Sequence, residues 1–178
     1  MDREQRCLGI EREGDLPSKD IHSCLVNFKD KFVILFGNSG SLRYSPAEDK
    51  WEDLPSISTE NNADSACSFG KNNASSACSL GDKFYVLFTE SRIIKVLHNP
   101  DAPVSSQQMH WQKIEVPGDI PIPLFSPVFT PLNSTEIVIT GGAGKGGSKV
   151  EDILIFDTTT CEFKKEVVNT DGFMCYSN

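Results

Sequence analysis

The fold is decided by residues 136–163, whose sequence is EIVITGGAGKGGSKVEDILIFDTTTCEF. Two runs of β-branched and large apolar residues, 137–139 and 153–156, flank a polar glycine-rich loop, and Phe163 follows a second turn. Apolar runs bounded by Gly, Asp and Thr are typical of strands joined by turns, whereas an amphipathic helix repeats its apolar residues three or four positions apart. This stretch therefore predicts strands and turns without a helix.

The same order of features occurs twice more, upstream, at a nearly constant spacing. The run KFVILFG at 31–37 begins 52 residues before the run KFYVLFT at 83–89, and 136–142 begins 53 residues after the latter. A further short predicted strand precedes each copy, at 22–26, 76–80 and 126–129. The chain is therefore a repeat protein with a period of about 50 residues.

A second landmark follows each copy, a pair of large residues on either side of a turn. Two pairs are seven residues apart and one is fourteen apart, because residues 101–110 lengthen its turn: Tyr44 with Trp51, Phe156 with Phe163, and Leu97 with Trp111. Because the second residue of the pair recurs in every copy, we expect it to pack between neighbouring repeats rather than to bind a ligand. We expect the lengthened turn, 99–109, to be mobile.

The period and the order of landmarks resemble the kelch repeat, the four-stranded blade of a β-propeller, over about nine tenths of the chain. The resemblance implies strands A, B, C and D in each copy, with D beginning at the aromatic. Only Gly141-Gly142 keeps the double glycine of the family; Gly37-Asn38 and Thr89-Glu90 stand in its place elsewhere. Since Thr and Glu rarely take a positive φ, the turn after strand B is expected to differ in the second copy.

The predicted fold class is therefore all-β, made of kelch-type β-propeller blades of four antiparallel strands in an incomplete ring. We divide the chain into an outer strand of a preceding or closing blade (1–16), blade 1 (17–56), an inserted loop (57–75), blade 2 (76–117), blade 3 (118–168) and the first strand of a fourth blade (169–178). Propellers have about four to eight blades. We expect the protein to continue past Asn178 or another chain to complete the ring; a compact three-blade stack is the alternative.

The inserted loop contains a tandem duplication. Residues 61–71, NNADSACSFGK, are followed at once by 72–82, NNASSACSLGD, with eight identities over eleven positions. Only one copy can form strand A of blade 2. The second copy directly precedes Lys83, so we predict that it forms the strand and that the first copy is a loop.

Charge and cysteine usage narrow the class of protein. A net charge of −8 argues against binding to nucleic acid or to an anionic membrane, which both need a basic face. No apolar run approaches the ~20 residues of a membrane span, and no signal sequence opens the chain. The six cysteines stand singly, without the spacing of a zinc site, and Cys24, Cys78 and Cys175 are predicted to occupy equivalent positions in strand A. We therefore expect reduced cysteines and a cytoplasmic protein.

No residue pattern predicts a reaction. Residues 142–147 match the dinucleotide fingerprint G-x-G-x-x-G, but the next apolar run predicts a strand where that fingerprint needs a helix. Some propellers of this superfamily resemble galactose oxidase, whose copper centre uses tyrosines and histidines; here these residues are scattered, at Tyr44, Tyr85, Tyr176, His22, His98 and His110. We therefore predict no enzyme activity, no cofactor, no metal and no catalytic residue.

The sequence instead favours a protein-interaction scaffold, because variable loops on a rigid frame suit partner binding. The candidate partner-binding residues lie in the loops after strand B and are Ser39, Ser91, Arg92, Lys145 and Lys149. Their basic and polar character would suit an acidic peptide of a protein partner. The alternatives are a structural subunit of a large assembly, whose blade edges are completed by neighbours or by self-association, and a propeller enzyme similar to galactose oxidase.

Overall fold

The computed structural model describes residues 24–37, 40–55, 74–89, 93–115, 127–144, 148, 150 and 152–166. Regular structure in these residues consists of β-strands and turns, and they include no helix, so the all-β prediction is confirmed. Accordingly, none of these segments forms a helix that is long and apolar enough to cross a membrane.

Twelve strands form three antiparallel sheets of four, which we call blades 1, 2 and 3. Blade 1 contains β1 (Cys24–Phe28), β2 (Phe32–Gly37), β3 (Gly40–Ser45) and β4 (Lys50–Asp53). Blade 2 contains β5 (Ala74–Leu80), β6 (Lys83–Phe88), β7 (Ile93–His98) and β8 (His110–Ile114). Blade 3 contains β9 (Val128–Pro131), β10 (Glu136–Thr140), β11 (Ile153–Asp157) and β12 (Glu162–Glu166).

Within each blade the strands pair in chain order, so every connection is a hairpin. The fourth strand starts one residue before the aromatic position, not at it as predicted: Lys50 precedes Trp51, and Glu162 precedes Phe163. The landmark pairs of the sequence are direct cross-strand partners, namely Tyr44 with Trp51, Leu97 with Trp111, and Phe156 with Phe163. Cross-strand neighbours on one face stabilise a sheet together, which explains their recurrence.

The three blades adjoin through their first strands, with β5 between β1 and β9. The Ser79 hydroxyl donates a hydrogen bond to the Asn27 carbonyl at 3.1 Å, and the Ser76 hydroxyl donates to the Pro127 carbonyl. Corresponding turns lie at the same end, since Lys29 in the β1–β2 turn pairs with Asp82 in the β5–β6 turn. This is the arrangement of consecutive propeller blades, and the described sheets do not close a ring.

Two apolar cores separate the blades. We call the face of a blade that lies toward the following blade its forward face, and the opposite one its backward face. The first core joins the forward face of blade 1 to the backward face of blade 2, through Phe28, Ile34, Phe36, Phe84, Val86, Phe88 and Leu97. The second joins the forward face of blade 2 to the backward face of blade 3, through Tyr85, Leu87, Ile94, Val96, Phe129, Ile137, Ile139, Leu154 and Phe156. Both contacts therefore use the same pair of faces.

Blade 1 aligns correctly with blade 2 when the landmark pairs are matched, and not when the two similar KF runs are matched. Phe32 and Phe84 occupy identical places in the two KF runs. In blade 1, however, the residue that lies across the strands from Tyr44 and Trp51 is Val33. In blade 2, the residue that lies across from Leu97 and Trp111 is Phe84. Three residues separate the paired Phe28 and Phe32, but only two separate Leu80 and Lys83. The extra turn residue shifts the register by one and places matching side chains on opposite faces.

The predicted equivalence of Cys24 and Cys78 is wrong for the same reason. Cys24 is the partner of Phe36 at the start of β1, whereas Cys78 is the partner of Tyr85 nearer the end of β5, where blade 1 has Val26. Cys175 lies outside the described residues. Cys78 is buried and Cys24 is half-buried, and both are free thiols.

The second copy of the tandem duplication forms β5, as predicted, and 61–71 lies outside the described residues. Ala74 pairs with Phe88 and Ser76 with Leu87, so a bulge falls between Ala74 and Ser76. In blade 3 both glycines of the double-glycine turn have positive φ, 68° for Gly141 and 86° for Gly142. Glycine reaches this region without steric cost, which explains why the pair ends β10.

Candidate interaction surface

The five candidate partner-binding residues, Ser39, Ser91, Arg92, Lys145 and Lys149, lie outside the described residues. The strand ends that flank them are described. Gly37 pairs with Gly40 on either side of 38–39, and β6 and β7 flank 90–92. Because the blades lie side by side with corresponding turns at one end, the segments after β2, β6 and β10 all begin at the other end. The strand ends that flank the candidate residues therefore lie at one end of the blades.

Two backbone hydrogen bonds join the described residues of the loop between β10 and β11. The Gly144 amide donates to the Ser148 carbonyl at 2.7 Å, and the Val150 amide donates to the Gly142 carbonyl at 3.4 Å. A Cβ added to Gly144 would lie 2.7 Å from the Ser148 hydroxyl oxygen, so this position needs glycine or a shift of Ser148. The next regular element is β11, not a helix, so the G-x-G-x-x-G match lacks the helix N-terminus that holds a pyrophosphate.

At the seam between blades 1 and 2, Arg43 of β3 crosses from one blade to the other. Its guanidinium donates to the Pro100 carbonyl at 2.6 Å and to the Ala102 carbonyl at 2.8 Å, pairs with Glu52 at 2.5 Å, and lies 4.7 Å from the centre of the Phe32 ring. The side chain is only 6% exposed. A buried guanidinium needs this many partners, because its desolvation is costly.

Residues 99–109, predicted to be mobile, are held against blade 1 by several contacts. Besides the bonds from Arg43, Lys29 of blade 1 lies 3.5 Å from Asp101, and Met109 is buried in the first core. Backbone hydrogen bonds within the turn, such as Ala102 to Asn99 at 2.9 Å, complete it. The turn is thus a clamp that fastens blade 2 to blade 1, and its length supplies that contact.

The ion pairs of the seam shift the pKa values of their members in the stabilising direction. The hydrogen bond from Arg43 lowers the pKa of Glu52, and the hydrogen bond to Asp82 raises the pKa of Lys29. The hydrogen bond from Lys29 in turn lowers the pKa of Asp82. All three groups keep their charge at neutral pH and are not poised for proton transfer. Lys29 and Asp82 form a pair between blades, whereas Glu52 pairs with Arg43 within blade 1.

Cys24, Cys78 and Tyr85 lie where burial disfavours their charged forms. Burial raises the pKa of Cys78 to about 12, and burial also raises the pKa of Cys24 and of Tyr85. The thiolate is the nucleophilic form of cysteine, and it is unpopulated at such a pKa. These groups fill space between the blades.

The four tyrosines and histidines of the copper-oxidase alternative that the structure describes lie in three separate places. Tyr44 hydrogen-bonds Asp49 on blade 1, Tyr85 lies in the second core, and His98 stacks on His110 in blade 2 with ring centres 4.8 Å apart. His22 and Tyr176 lie outside the described residues. Within the described residues, no group of three or more His, Cys, Asp or Glu side chains is placed to hold a metal ion.

The aromatic landmarks occupy the backward face of each blade. Trp111 packs between blades, 6.0 Å from the Phe36 ring centre, and its indole donates to the Pro55 carbonyl at 2.8 Å. Phe163 contacts Phe156 of its own blade at 5.0 Å and packs against the second core, as predicted. Trp51 contacts Tyr44 of its own blade at 4.9 Å, on a face that no described blade covers. The prediction of packing between repeats is therefore confirmed for Trp111 and Phe163 and stays a prediction for Trp51.

Two apolar faces are left uncovered by the described residues. The backward face of blade 1 carries Leu25, Val33, Leu35, Leu42, Tyr44 and Trp51, and the forward face of blade 3 carries Val128, Val138, Ile153 and Ile155. Leu25 is 67% exposed and Val128 is 55% exposed, and the others are half-buried. Their counterparts between blades are buried or partly buried against the neighbouring blade. Apolar faces of this kind are candidate interaction surfaces.

The sequence analysis missed both Arg43 and the two uncovered faces. A basic residue inside a strand gives no hint of whether it faces water or a neighbouring turn. The faces did carry a signal, since β2 is apolar at every position from Phe32 to Phe36, which predicts burial on both sides.

No model of a known protein family matches the chain, and no curated protein is similar to it.

Proposed function

We propose that this protein is a kelch-type propeller segment that acts as a non-catalytic scaffold for protein binding in the reducing cytoplasm. The observation that supports the proposal is the rigid stacking of three blades, with the segments after β2, β6 and β10 at one end. Two continuous cores and the Arg43 clamp fix the blades relative to one another. A fixed frame lowers the entropy that binding loops lose when a partner docks.

The partner proposed for this end is an acidic peptide segment of another protein. Arg92, Lys145 and Lys149 bring positive charge to it within a chain of net charge −8. Charge-assisted hydrogen bonds from Arg and Lys to carboxylates are stronger than neutral ones and steer the approach of the partner. Ser39 and Ser91 would add hydroxyl donors.

A direct test uses a fluorescent Glu- and Asp-rich peptide, with binding followed by anisotropy. We expect the combined variant Arg92→Glu, Lys145→Glu, Lys149→Glu to weaken binding by about tenfold or more, which corresponds to about 1.4 kcal/mol. The matched control carries the same charge change elsewhere, as Lys31→Glu, Lys83→Glu, Lys113→Glu, and should bind within about twofold of the original chain. Equal loss in both variants would show that net charge alone, and not these loops, attracts the peptide.

A second candidate function is that of a structural subunit whose blade edges are covered by neighbours. The uncovered apolar faces at Leu25 and Val128 favour it, because apolar surface of this kind is normally buried in an assembly. The two functions are compatible, since they use different parts of the blades. Loss of peptide binding with intact assembly would leave the structural role alone.

A further inference from the structure

The contact between blades is directional. In both described contacts the forward face of one blade packs on the backward face of the next. Phe36 lies 5.8 Å from Phe88 across the first core, and Tyr85, Leu87 and Ile137 belong to the second. Such a head-to-tail contact uses two different surfaces and can be repeated without limit. It ends either in an open stack or in a closed ring.

In the described residues, one backward face and one forward face make no contact with another blade. In the contacts between blades, a backward face always packs on the forward face of the preceding blade. The backward face of blade 1 and the forward face of blade 3 are one face of each kind without a described partner. The inner three strands of blade 1 form an apolar row at Leu25, Leu35 and Leu42. The matching face of blade 3 combines apolar residues with threonine, as in the row Val128, Thr140 and Ile153. The two surfaces are therefore complementary in kind.

We propose that the forward face of blade 3 docks on the backward face of blade 1 of a second copy of this chain, so that two copies close a six-bladed ring. The inference rests on the blade arrangement that also underlies the proposed function. The described residues give three blades per copy, so two copies supply six blades, which lies within the about four to eight blades with which propellers close. Two identical contacts then bury all four uncovered faces, each as a continuation of the contact already present between blades 1 and 2.

The first measurement is the mass of the 178-residue chain by light scattering over a range of micromolar concentrations. The expected result is a single species of twice the chain mass of 19.6 kDa. A species of one chain mass at every concentration would overturn the proposal, because the uncovered faces would then be covered within the chain or remain bare. A ladder of larger species would overturn ring closure.

Single substitutions test which faces meet. Leu25→Asp places a charge on the backward face of blade 1, and Val128→Asp does so on the forward face of blade 3; both side chains are exposed enough that each blade should still fold. Each variant alone should shift to one chain mass, because both contacts of its dimer are damaged. The control Gln107→Asp, on the exposed turn of the middle blade, carries the same added charge and should remain a dimer.

Mixing the two variants separates a head-to-tail contact from a symmetric one. The Leu25→Asp copy keeps an intact blade 3 and the Val128→Asp copy keeps an intact blade 1, so the mixture should regain a two-chain species through one undamaged contact. A like-to-like dimer would lose association with only one of the variants and would not recover on mixing, and that result would overturn the proposal. Circular dichroism confirms that each variant is folded.

The acidic-peptide experiment, repeated on the Leu25→Asp monomer, distinguishes this inference from the proposed function. If the Leu25→Asp monomer still binds the peptide, the scaffold function stands. If the original chain is also monomeric, only the proposed association is wrong. Absent peptide binding by an original chain that is dimeric means that the association stands without the scaffold function.

Discussion

Strands β2 and β6 have nearly the same sequence and very different surroundings. In blade 2 every residue of β6 from Phe84 to Phe88 is buried, whereas in blade 1 burial alternates along β2, with Ile34 and Phe36 buried and Val33 and Leu35 half-buried. The difference is that blade 2 has a neighbour on each face and blade 1 has a described neighbour on one. The comparison teaches that an apolar strand of a propeller is completed by its neighbours and not by its own sheet.

The largest expected effect comes from the same substitution in the two strands. Leu87→Ala removes a fully buried side chain from the second core and should lower the free energy of unfolding by about 2–5 kcal/mol, through lost burial and a cavity. Leu35→Ala, at the matching place of the similar run, lies on the uncovered face and should cost about half as much or less. Urea unfolding at low protein concentration measures both. Equal losses would mean that the backward face of blade 1 is covered.

The clamp between blades 1 and 2 comes next in size. Arg43→Ala leaves the Pro100 and Ala102 carbonyls without their donor and Glu52 without its partner, so we expect a loss of about 2–3 kcal/mol and faster hydrogen exchange in 99–109. Lys50 also pairs with Glu52 but is exposed, and Lys50→Ala should cost less than about 0.5 kcal/mol. A small effect of Arg43→Ala would show that the apolar core alone holds the turn.

The two tryptophans provide a more modest contrast. Trp111→Phe loses the indole hydrogen bond to the Pro55 carbonyl and part of the packing against Phe36, which should cost about 1–2 kcal/mol. Trp51→Phe changes a half-buried ring that contacts Tyr44, and about 0.5 kcal/mol is expected. Thermal unfolding followed by circular dichroism compares them without relying on tryptophan emission. The reverse order would contradict the assignment of Trp111 to the seam.

The smallest effect is on the acid side of the stability profile. Arg43 lowers the pKa of Glu52 in the folded chain, so the unfolded chain binds a proton there more readily and stability rises with pH. The contribution is complete above the unfolded pKa of Glu52 and is lost as the pH falls through the folded pKa. Unfolding free energies between about pH 6 and pH 3 should therefore fall less steeply in Glu52→Gln than in the original chain. Glu48→Gln, an exposed change on the same blade, should leave the slope as it was.

Some elements of the fold can be predicted with little beyond local chemistry. β10 and β11 follow from β-branched runs on either side of a glycine-rich loop, and Gly141 and Gly142 have the positive φ that the double glycine indicates. The spacing of Tyr44 from Trp51 and of Phe156 from Phe163 predicts cross-strand partners, because a short turn fixes the register of a hairpin. The hydrogen bonds of Arg43 could not be predicted in this way, since their acceptors, the Pro100 and Ala102 carbonyls, are distant in sequence.

What the sequence determined by itself is the all-β composition of the chain, the repeat of about 50 residues and the pairing of the landmark residues across each hairpin. These depend on side-chain alternation and turn chemistry, which act over a few residues. The tertiary structure alone decided that β2 and β6 are offset by one residue, that Cys24 and Cys78 differ in position, that the long turn is a clamp, and which apolar faces are covered. The physical reason is that an alternating or fully apolar strand shows which side chains avoid water, while the surface that excludes the water belongs to another blade.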